Sequence, residues 1–315
     1  MISGLSRKFF HSLAGNETVR QIITSYGMTP QSGFARRFIA GETLEEALQV
    51  VRDLNQKGFL ATLDVLGENV TQEVEARQAA MRYIQVLEKI DEVKVNSNVS
   101  LKLTQMGLDI DWKLCWDNLT AILDKARTYQ NFVRIDMESS AYTQRTLDIY
   151  RLLREKGYTN VGVVIQAYLY RSEKDVKDLI ALKARVRLCK GAYSEPGHIA
   201  FQDKREVDKN YVHLMKMLLT EGNYPAIATH DEAIIQIAKE FTKANRISPD
   251  RFEFQMLYGI RRDLQEKLVK EGYNLRIYIP FGKEWFPYFM RRLGERPANV
   301  QFLVTNILRE FVKAK

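Results

Sequence analysis

The chain has 315 residues, 45% of them hydrophobic, which is enough for one large core, and a single α/β barrel commonly needs about 250 residues. The net charge is +8, but the 47 basic residues are mixed with 39 acidic ones and no basic block carries interleaved aromatic residues, so nucleic-acid binding is disfavoured. No apolar run approaches the roughly 20 residues of a membrane-spanning helix and no apolar leader opens the chain, so we expect a cytoplasmic protein.

Residues 1–57 are predicted to form a helical flank, with helical patterns near 16–26 and 44–56. We expect this flank to lie at the bottom of the domain that follows. A short basic run, from Ser6 to His11, is a candidate for attraction to an anionic membrane surface, where clustered basic residues contribute about 1 kcal/mol each.

From residue 58 onward, short β-branched and apolar runs alternate with longer amphipathic stretches. Strands are predicted at 59–64, 98–103, 132–137, 161–166, 185–189, 226–229, 252–255 and 275–279. Helices are predicted between and after them at 71–90, 112–129, 143–156, 174–183, 204–219, 232–243, 261–270, 284–294 and 297–312. This alternation implies a parallel sheet, and eight strands predict a (βα)8 TIM-type barrel, the catalytic domain, over residues 58–315.

The rival architecture is a doubly wound open sheet that binds a dinucleotide, which requires Gly-x-Gly-x-x-Gly after the first strand. The first strand is followed instead by Asp64-Val-Leu-Gly-Glu68, a turn with a single glycine. Phosphate-loop, zinc-helix and serine-elbow motifs are also absent from the sequence. The two cysteines, Cys115 and Cys189, lack metal-site spacing and are expected to be buried thiols.

Polar residues gather where the predicted strands end, which is the edge of a TIM-type barrel that carries the chemistry. One such residue alone has an ordinary explanation, since Lys102 can extend its ammonium to solvent and His230 can be a hydrogen-bonded core residue. Seven strands with polar ends are harder to explain in this way. Unpaired buried charges are costly, so we expect a shared ligand to satisfy them. The residues are Lys102, Asp136, Gln166, Arg187, Lys190, His230, Gln255 and Tyr278.

Two adjacent arginines in the last predicted barrel helix have the character of a carboxylate clamp. Arg291 and Arg292 each present a planar fork of donors, and Glu295 lies one helical turn from Arg291, where it can orient that side chain. A small anionic substrate is therefore expected.

The segment after the fifth predicted strand, Lys190-Gly191-Ala192, is compatible with two kinds of ligand. Small residues let the backbone approach a phosphate while the lysine supplies charge, which favours a phosphorylated cofactor. Lys190 also stands where an aldolase carries its Schiff-base lysine. A metal site at His230 and Asp231 is disfavoured, because the other histidines fall outside the predicted strand ends.

The ordered strand-end motifs resemble those of the proline dehydrogenase family over roughly residues 35–310. The motifs are Asp64-Val-Leu-Gly-Glu, Ser100-Leu-Lys-Leu, Ile135-Asp-Met-Glu, Gln166-Ala-Tyr, Arg187-Leu-Cys-Lys-Gly-Ala-Tyr, Ala228-Thr-His-Asp, Phe252-Glu-Phe-Gln-Met-Leu-Tyr-Gly and Tyr288-x-x-Arg-Arg-Leu-x-Glu. Eight motifs in order make the resemblance specific. The chain resembles the short, single-function bacterial form, without the aldehyde dehydrogenase and DNA-binding segments of the long relatives.

The resemblance implies a flavin enzyme on a distorted (βα)8 barrel whose last barrel helix lies over the strand ends. It implies FAD-dependent oxidation of L-proline to Δ1-pyrroline-5-carboxylate, the first step of proline catabolism, with hydride passing from proline C5 to flavin N5. It further implies that electrons pass on to a membrane quinone, which would bring the protein to the inner face of the cell membrane, and that nucleic acid is not a partner.

The same resemblance assigns roles to single positions. Asp136 and Arg187 match the catalytic positions, with Arg187 beside the flavin N5. Substrate-binding positions would be Lys102, Tyr193, Leu257, Tyr278, Arg291 and Arg292. Cofactor-binding positions would be Met137, Gln166, Arg187, Lys190, Gly191, Ala192, Thr229, His230, Gln255 and Glu295. No metal is implied.

The residue types agree with this chemistry. Arg187 can stabilise the negative charge that develops on a reduced flavin, and Asp136 can offset the neighbouring cations, with a role as general base as the alternative. Two other hypotheses stay open at this point. One is a class I aldolase that uses Lys190, and the other is a basic protein that binds a membrane or nucleic acid without turnover.

Overall fold

Eight parallel strands close into a barrel in the computed structural model, which describes residue 28 and residues 33–67 and 70–295. The strands are β1 (Leu60–Val65), β2 (Ser97–Leu101), β3 (Val133–Ile135), β4 (Val161–Gln166), β5 (Arg185–Cys189), β6 (Ala226–Ala228), β7 (Glu253–Leu257) and β8 (Leu275–Phe281). Each strand pairs with the next along the chain, and β8 pairs with β1. The predicted TIM-type (βα)8 class is confirmed.

Helices alternate with these strands. In chain order they are α1 (Leu44–Gln56), α2 (Glu73–Glu92), α3 (Trp112–Thr128), α4 (Ser140–Glu155), α5 (Ser172–Ala181), α6 (Lys204–Glu221), α7 (Glu232–Ala244), α8 (Arg262–Lys270) and α9 (Trp285–Glu295). Helices α2 to α8 are the crossovers between successive strands, and their apolar faces join one large core on the outside of the barrel. The helices predicted at 16–26 and 297–312, and the basic run near the start, lie outside the described residues.

Strand β8 is longer than the sequence predicts. The prediction ends this strand at Ile279, before Pro280, whereas β8 runs on to Phe281 with Val65 of β1 opposite it. A proline lacks only the N–H donor, and the carbonyl oxygen of Pro280 still accepts a hydrogen bond from Ala40 N at 3.0 Å. The strand continues because this position is used as an acceptor.

Residues 33–59 run down the side of the barrel, so the expectation that the flank lies at the bottom is corrected for this described part of it. Gly282 N donates to Gly41 O at 2.9 Å, which ties the segment before α1 to the carboxyl end of β8. Helix α1 then packs against β1 and β8. At its far end, Asn55 Nδ2 donates to Asn96 O at 3.2 Å, just before β2. Helix α1 therefore fills the side position between the last and first strands.

Helix α9 lies over the mouth of the barrel, as predicted for the last barrel helix. Its residues Trp285 and Phe289 form a second core cluster with Phe38 and with Leu66, which directly follows β1. Trp285 Nε1 also donates to Glu42 Oε1 at 2.8 Å. These contacts place the paired arginines of α9 at the same end of the barrel as the strand-end residues.

Inside the barrel many side chains are polar, whereas alternate positions of the same strands are apolar. On β7, Glu253 and Gln255 are buried and form hydrogen bonds inside the barrel, while Phe254 and Met256 belong to the core shared with the helices. This alternation follows from the pleat of a strand. The lumen therefore has to satisfy its own polar groups, because the closed sheet and the helices surround it.

Gly162 on β4 makes room for the arginines of the lower lumen. A Cβ at this position would lie 2.4 Å from the carbonyl oxygen of Arg185, 2.5 Å from Arg134 Nη1 and 2.6 Å from Phe132 Cζ. The space left by the glycine is taken by the Arg134 guanidinium, which donates to the carbonyl oxygens of Val163 and Arg185.

We predict that Gly162→Ala lowers the free energy of unfolding by about 1–3 kcal/mol, because the added methyl group meets backbone and a buried guanidinium. Gly197→Ala is the control, since the nearest atom to a Cβ there lies 3.6 Å away. Its effect should stay within about 0.5 kcal/mol. Chemical denaturation of both variants measures the difference, and a Gly162→Ala variant as stable as the wild type would contradict the packing described.

Candidate active site

An ion pair between Asp136 and Arg187 lies at the centre of the strand-end residues. Arg187 Nη1 donates to Asp136 Oδ1 at 2.6 Å, and the two side chains are only 8% and 12% exposed. Ser100 donates to the same carboxylate oxygen at 2.6 Å and accepts from Arg187 Nη2 at 3.3 Å. Tyr278 donates to the other oxygen, Oδ2, at 2.8 Å. The carboxylate of Asp136, which follows β3, thus receives hydrogen bonds from residues of β2, β5 and β8.

The Tyr278 hydroxyl is a permanent donor in this cluster. Burial, followed by the charges of Asp136 and Asp64, holds the pKa of Tyr278 well above its usual range. Its ring also lies under the guanidinium of Arg187, whose Cζ is 5.3 Å from the ring centroid. Tyr278 therefore fixes both partners of the central ion pair.

The predicted substrate residue Lys102 has its own counter-charge. Its ammonium lies 3.5 Å from the carboxylate of Asp64 on β1, and the two side chains are 10% and 1% exposed. The backbone of Lys102 also donates to Gln105 Oε1 at 3.3 Å. Lys102 is thus a nearly buried cation held at the end of β2.

The predicted cofactor residue Lys190 lies between two carboxylates. Its Nζ is 2.5 Å from Asp208 on α6 and 2.8 Å from Asp231, the residue that caps α7. The chain then turns through Gly191, which has φ of +116°, and a Cβ there would lie 2.4 Å from the ring of Tyr168. Only glycine allows this turn against that ring.

Main-chain contacts hold four further predicted positions, Gln166, Thr229, His230 and Leu257. Gln166 Nε2 donates to Glu138 O at 2.8 Å, and Thr229 Oγ1 accepts from the backbone N–H of Asp231 at 3.1 Å. His230 Nε2 accepts from the backbone N–H of Leu257 at 2.9 Å, so the neutral imidazole carries its proton on Nδ1. The structure therefore brings His230 and Leu257 together.

Three further predicted positions border these groups. Met137, next to Asp136, is buried, whereas Ala192 and Tyr193 are exposed in the loop that follows β5. The exposed loop leaves the end of β5 accessible to a ligand.

The two arginines of the predicted clamp flank one aromatic ring. The Cζ atoms of Arg291 and Arg292 lie 5.9 and 5.2 Å from the ring centroid of Tyr288, which is one turn earlier on α9. Both side chains are half-buried. Glu295 is the last residue of α9, but its side chain lies outside the described part of the chain, so the predicted pairing with Arg291 stays a prediction.

The expectation that a ligand must satisfy the strand-end charges is wrong for three of them. Arg187, Lys102 and Lys190 already have carboxylate partners within the protein. Sequence reasoning assigned no role to those partners except Asp136. Asp64 had a signal, since it ends the strand predicted at 59–64. Asp208, near the start of helix α6, had none.

The described residues offer no other prosthetic site. No group of three or more His, Cys, Asp or Glu side chains among them is arranged to hold a metal ion. Cys115 and Cys189 are free, and burial raises the pKa of each thiol to about 12, which makes them poor nucleophiles. Within the same residues no helix has the length and apolarity required to span a bilayer.

The fold and this cluster define a TIM-barrel enzyme with a charged, largely buried site at the carboxyl ends of its strands. A sequence profile described as proline dehydrogenase matches residues 47–305. The chain is 45% identical over 304 residues to proline dehydrogenase 1 of Bacillus subtilis subsp. natto, which covers 96% of this chain and 99% of that protein. It is 40% identical over 313 residues to the proline dehydrogenase of Deinococcus radiodurans, which covers 98% and 100%.

Among solved structures, the fold is similar to proline utilization A from Bdellovibrio bacteriovorus inactivated by N-propargylglycine. The TM-score is 0.77 at 29% identity, and the match covers 83% of this chain and 32% of that longer one. The chain belongs to the proline dehydrogenase family, in its monofunctional bacterial form, and is an oxidoreductase.

We predict that Asp136→Ala lowers the free energy of unfolding by about 3–5 kcal/mol, because it leaves the buried Arg187 guanidinium without its carboxylate. Asp117→Ala is the matched control, since Asp117 pairs with Lys113 on the surface and is 43% exposed. The control should change stability by less than about 1 kcal/mol. Denaturant titration compares the two variants, and equal losses in the free energy of unfolding would show that the central ion pair stabilises the protein no more than a surface pair does.

Proposed function

We propose that the chain is an FAD-dependent enzyme that oxidises L-proline to Δ1-pyrroline-5-carboxylate and passes the electrons to a membrane quinone. The proposal depends above all on the buried cluster of Asp136, Arg187 and Tyr278 in a chain of this family. Relatives that match nearly the whole chain carry the name proline dehydrogenase. The catalytic unit is the barrel over residues 58–315, with residues 1–57 as its flank.

The ends of β4 to β7 fit a phosphorylated flavin. Lys190 supplies a cationic donor, the half-buried turn at Gly191 brings the backbone close, and His230 presents an imidazole with a defined proton. This donor set suits phosphate and carbonyl oxygens. The residues that would hold FAD are Met137, Gln166, Arg187, Lys190, Gly191, Ala192, Thr229, His230, Gln255 and Glu295. When bound, FAD supplies the acceptor for the hydride.

The substrate's acid group would be bound by the cations at the mouth. Arg291 and Arg292 of α9 carry the charge that a carboxylate requires, as does Lys102, which follows β2, and the arginine fork favours bidentate binding. The ring would lie between Tyr193, Leu257 and Tyr278. Fixing both ends of so small a molecule aligns its C5 with the acceptor, which is a contribution of position rather than of proton transfer.

The central cluster would act through charge. Hydride leaves C5 only when the ring nitrogen has a lone pair, so the amine loses a proton first and the N–C5 bond becomes double. Both oxygens of Asp136 are bonded, to Arg187 and Ser100 on one side and to Tyr278 on the other, which favours a role as counter-charge over a role as base. Arg187 supplies positive charge where negative charge develops.

Electron transfer to a quinone requires contact with the membrane in which quinones dissolve. The net charge of +8 favours attraction to an anionic lipid surface, and peripheral contact with the inner face of the cell membrane is proposed on that basis. The aldolase alternative is disfavoured because the Lys190 nitrogen pairs with the carboxylates of Asp208 and Asp231, and it would have to leave both of them to attack a carbonyl carbon.

L-Proline added without oxygen to the purified, FAD-loaded protein should bleach the visible absorbance of the flavin and release a product two hydrogens lighter than proline. Absorption spectroscopy and mass spectrometry measure these changes. Cyclopentanecarboxylate, which has the ring and the acid group but no nitrogen, is the control and should leave the flavin oxidised. A protein that takes up no FAD, or whose flavin stays yellow with L-proline, would overturn the proposal.

Arg291→Ala should raise the KM for L-proline about 10- to 100-fold, because it removes a charged hydrogen bond to the substrate worth about 1.5–3 kcal/mol. The amount of bound FAD should not change. Arg77→Ala, which removes an exposed arginine on α2, is the control and should leave KM as in the wild type. Steady-state kinetics measure KM for both variants, and an unchanged KM for Arg291→Ala would refute the proposed role of Arg291 in binding the substrate carboxylate.

A further inference from the structure

A continuous row of charged and polar side chains runs from Arg187 toward the lower end of the barrel. Arg187 Nε donates to Gln255 Oε1 at 2.6 Å, and Gln255 Nε2 donates to Glu253 Oε1 at 2.5 Å. Glu253 in turn accepts a fork of two bonds from Arg276, at 2.9 and 3.0 Å. Gln255, Glu253 and Arg276 are 4%, 2% and 7% exposed. Buried side chains therefore connect the central ion pair to the far end of the lumen.

The lower end of this row is anchored to the sheet. Arg276 Nη1 donates to the carbonyl oxygen of Ala61 at 2.6 Å, near the start of β1. Arg276 thus bonds to a carboxylate from β7 and to the backbone of β1 at the same time. A planar guanidinium held on two sides has little freedom to rotate. Its position is consequently set by the barrel and not by a ligand.

The negative charge on Glu253 determines the direction, from donor to acceptor, of the hydrogen bonds in this row. Burial alone would raise the pKa of Glu253, but the charge and bonds of Arg276, with the amide of Gln255, outweigh that effect and lower the pKa below its ordinary value of 4.5. Glu253 is therefore ionised near neutral pH, and an ionised carboxylate only accepts hydrogen bonds.

The amide of Gln255 can satisfy both neighbours in one orientation only. Its nitrogen has to face Glu253, which only accepts, and its oxygen has to face Arg187, which only donates. A reversed amide would place donor against donor and acceptor against acceptor. The bonds to Glu253 and to Arg187 thus support each other, and the second is the bond that holds Arg187 Nε.

We propose that Glu253, paired with Arg276, is a positioning residue that acts through Gln255 to hold the Arg187 guanidinium in its working orientation. The inference depends on the proposed function, which places Arg187 beside the flavin. It gives Gln255 a role in aligning Arg187 in addition to any contact with the cofactor. Two bonds, from Nε to Gln255 and from Nη1 to Asp136, then fix the plane of the Arg187 side chain.

The double substitution Glu253→Met with Arg276→Met tests this proposal. It removes both charges together, because a buried pair replaced by apolar residues of similar volume usually leaves a folded protein, whereas one unpaired charge does not. The Gln255 amide then loses the partner that directs it. We expect kcat with L-proline to fall about tenfold, since a small misplacement of a catalytic group can cost about 100-fold. The KM for L-proline should change by less than about threefold, since the proposed clamp is untouched.

The reduction potential of the bound flavin is the second readout. A less well placed Arg187 stabilises the reduced, electron-rich flavin less, so the potential of the double variant should become more negative. Affinity for cyclopentanecarboxylate, followed by its effect on the flavin spectrum, should not change. Leu153→Ala is the stability control, since Leu153 is fully buried on α4 and bonds to nothing in the row. It should lower the melting temperature and leave kcat and the potential as in the wild type.

Two further variants separate the alternatives. Gln255→Met should reproduce the loss of kcat and the shift of potential. If Gln255→Met lowers kcat but the double variant does not, Gln255 acts only through the cofactor and the proposal is wrong. If the double variant does not fold, the smaller apolar pair Glu253→Leu with Arg276→Leu decides, because it also removes the acceptor that directs Gln255, and unchanged kcat and potential there would overturn the proposal. Wild-type protein that is not bleached by L-proline would refute the proposed function instead, before any variant is compared.

Discussion

Charges inside the barrel are removed from water, so each has to find a counter-charge or backbone hydrogen-bond partners on another strand, and this constraint organises the structure. Asp136 receives bonds from side chains on β2, β5 and β8. Glu253 does the same for the lower lumen through Arg276. A cation left without its carboxylate would cost several kcal/mol, roughly the scale of a domain's whole stability margin. The strand order of the barrel therefore determines which of its buried charges can pair.

The lumen of the barrel provides a fixed geometry, whereas the mouth provides access for ligands. Below Arg187, buried side chains bond to each other and to the backbone, which gives that region a fixed geometry. Above it, the exposed loop around Gly191 and the half-buried arginines of α9 leave room for molecules to enter. A rigid lower tier with an accessible upper tier is what an enzyme needs to align a small substrate while still exchanging it.

The sequence was sufficient for the fold class, because alternating periods of two and 3.6 residues are local properties of the chain. Strands β4 and β5 and helix α1 begin and end where predicted. The side position of α1 was missed, since it depends on a contact with β8 that local pattern does not record. The end of β8 was misplaced because Pro280 was treated as a break, although its carbonyl oxygen still accepts a hydrogen bond.

For the candidate site, strand ends identified Asp136, Arg187 and Tyr278, which do meet. Their remaining partners depend on which strands are neighbours in space, and Asp208 reaches Lys190 from a helix with no local signal.

The closure between β1 and β8 has a consequence for biosynthesis. Arg276 and Ala61 are separated by 215 positions, so the bond that completes the lower lumen joins the first strand of the barrel to its last. A ribosome that adds about 5–20 residues per second leaves α1 and β1 waiting ten seconds or more for that partner. Until then, β1 has an unpaired edge and α1 has only half of its packing surface, and such edges are where chains associate wrongly. The nascent chain is consequently most exposed to aggregation just before the C-terminal strand leaves the exit tunnel.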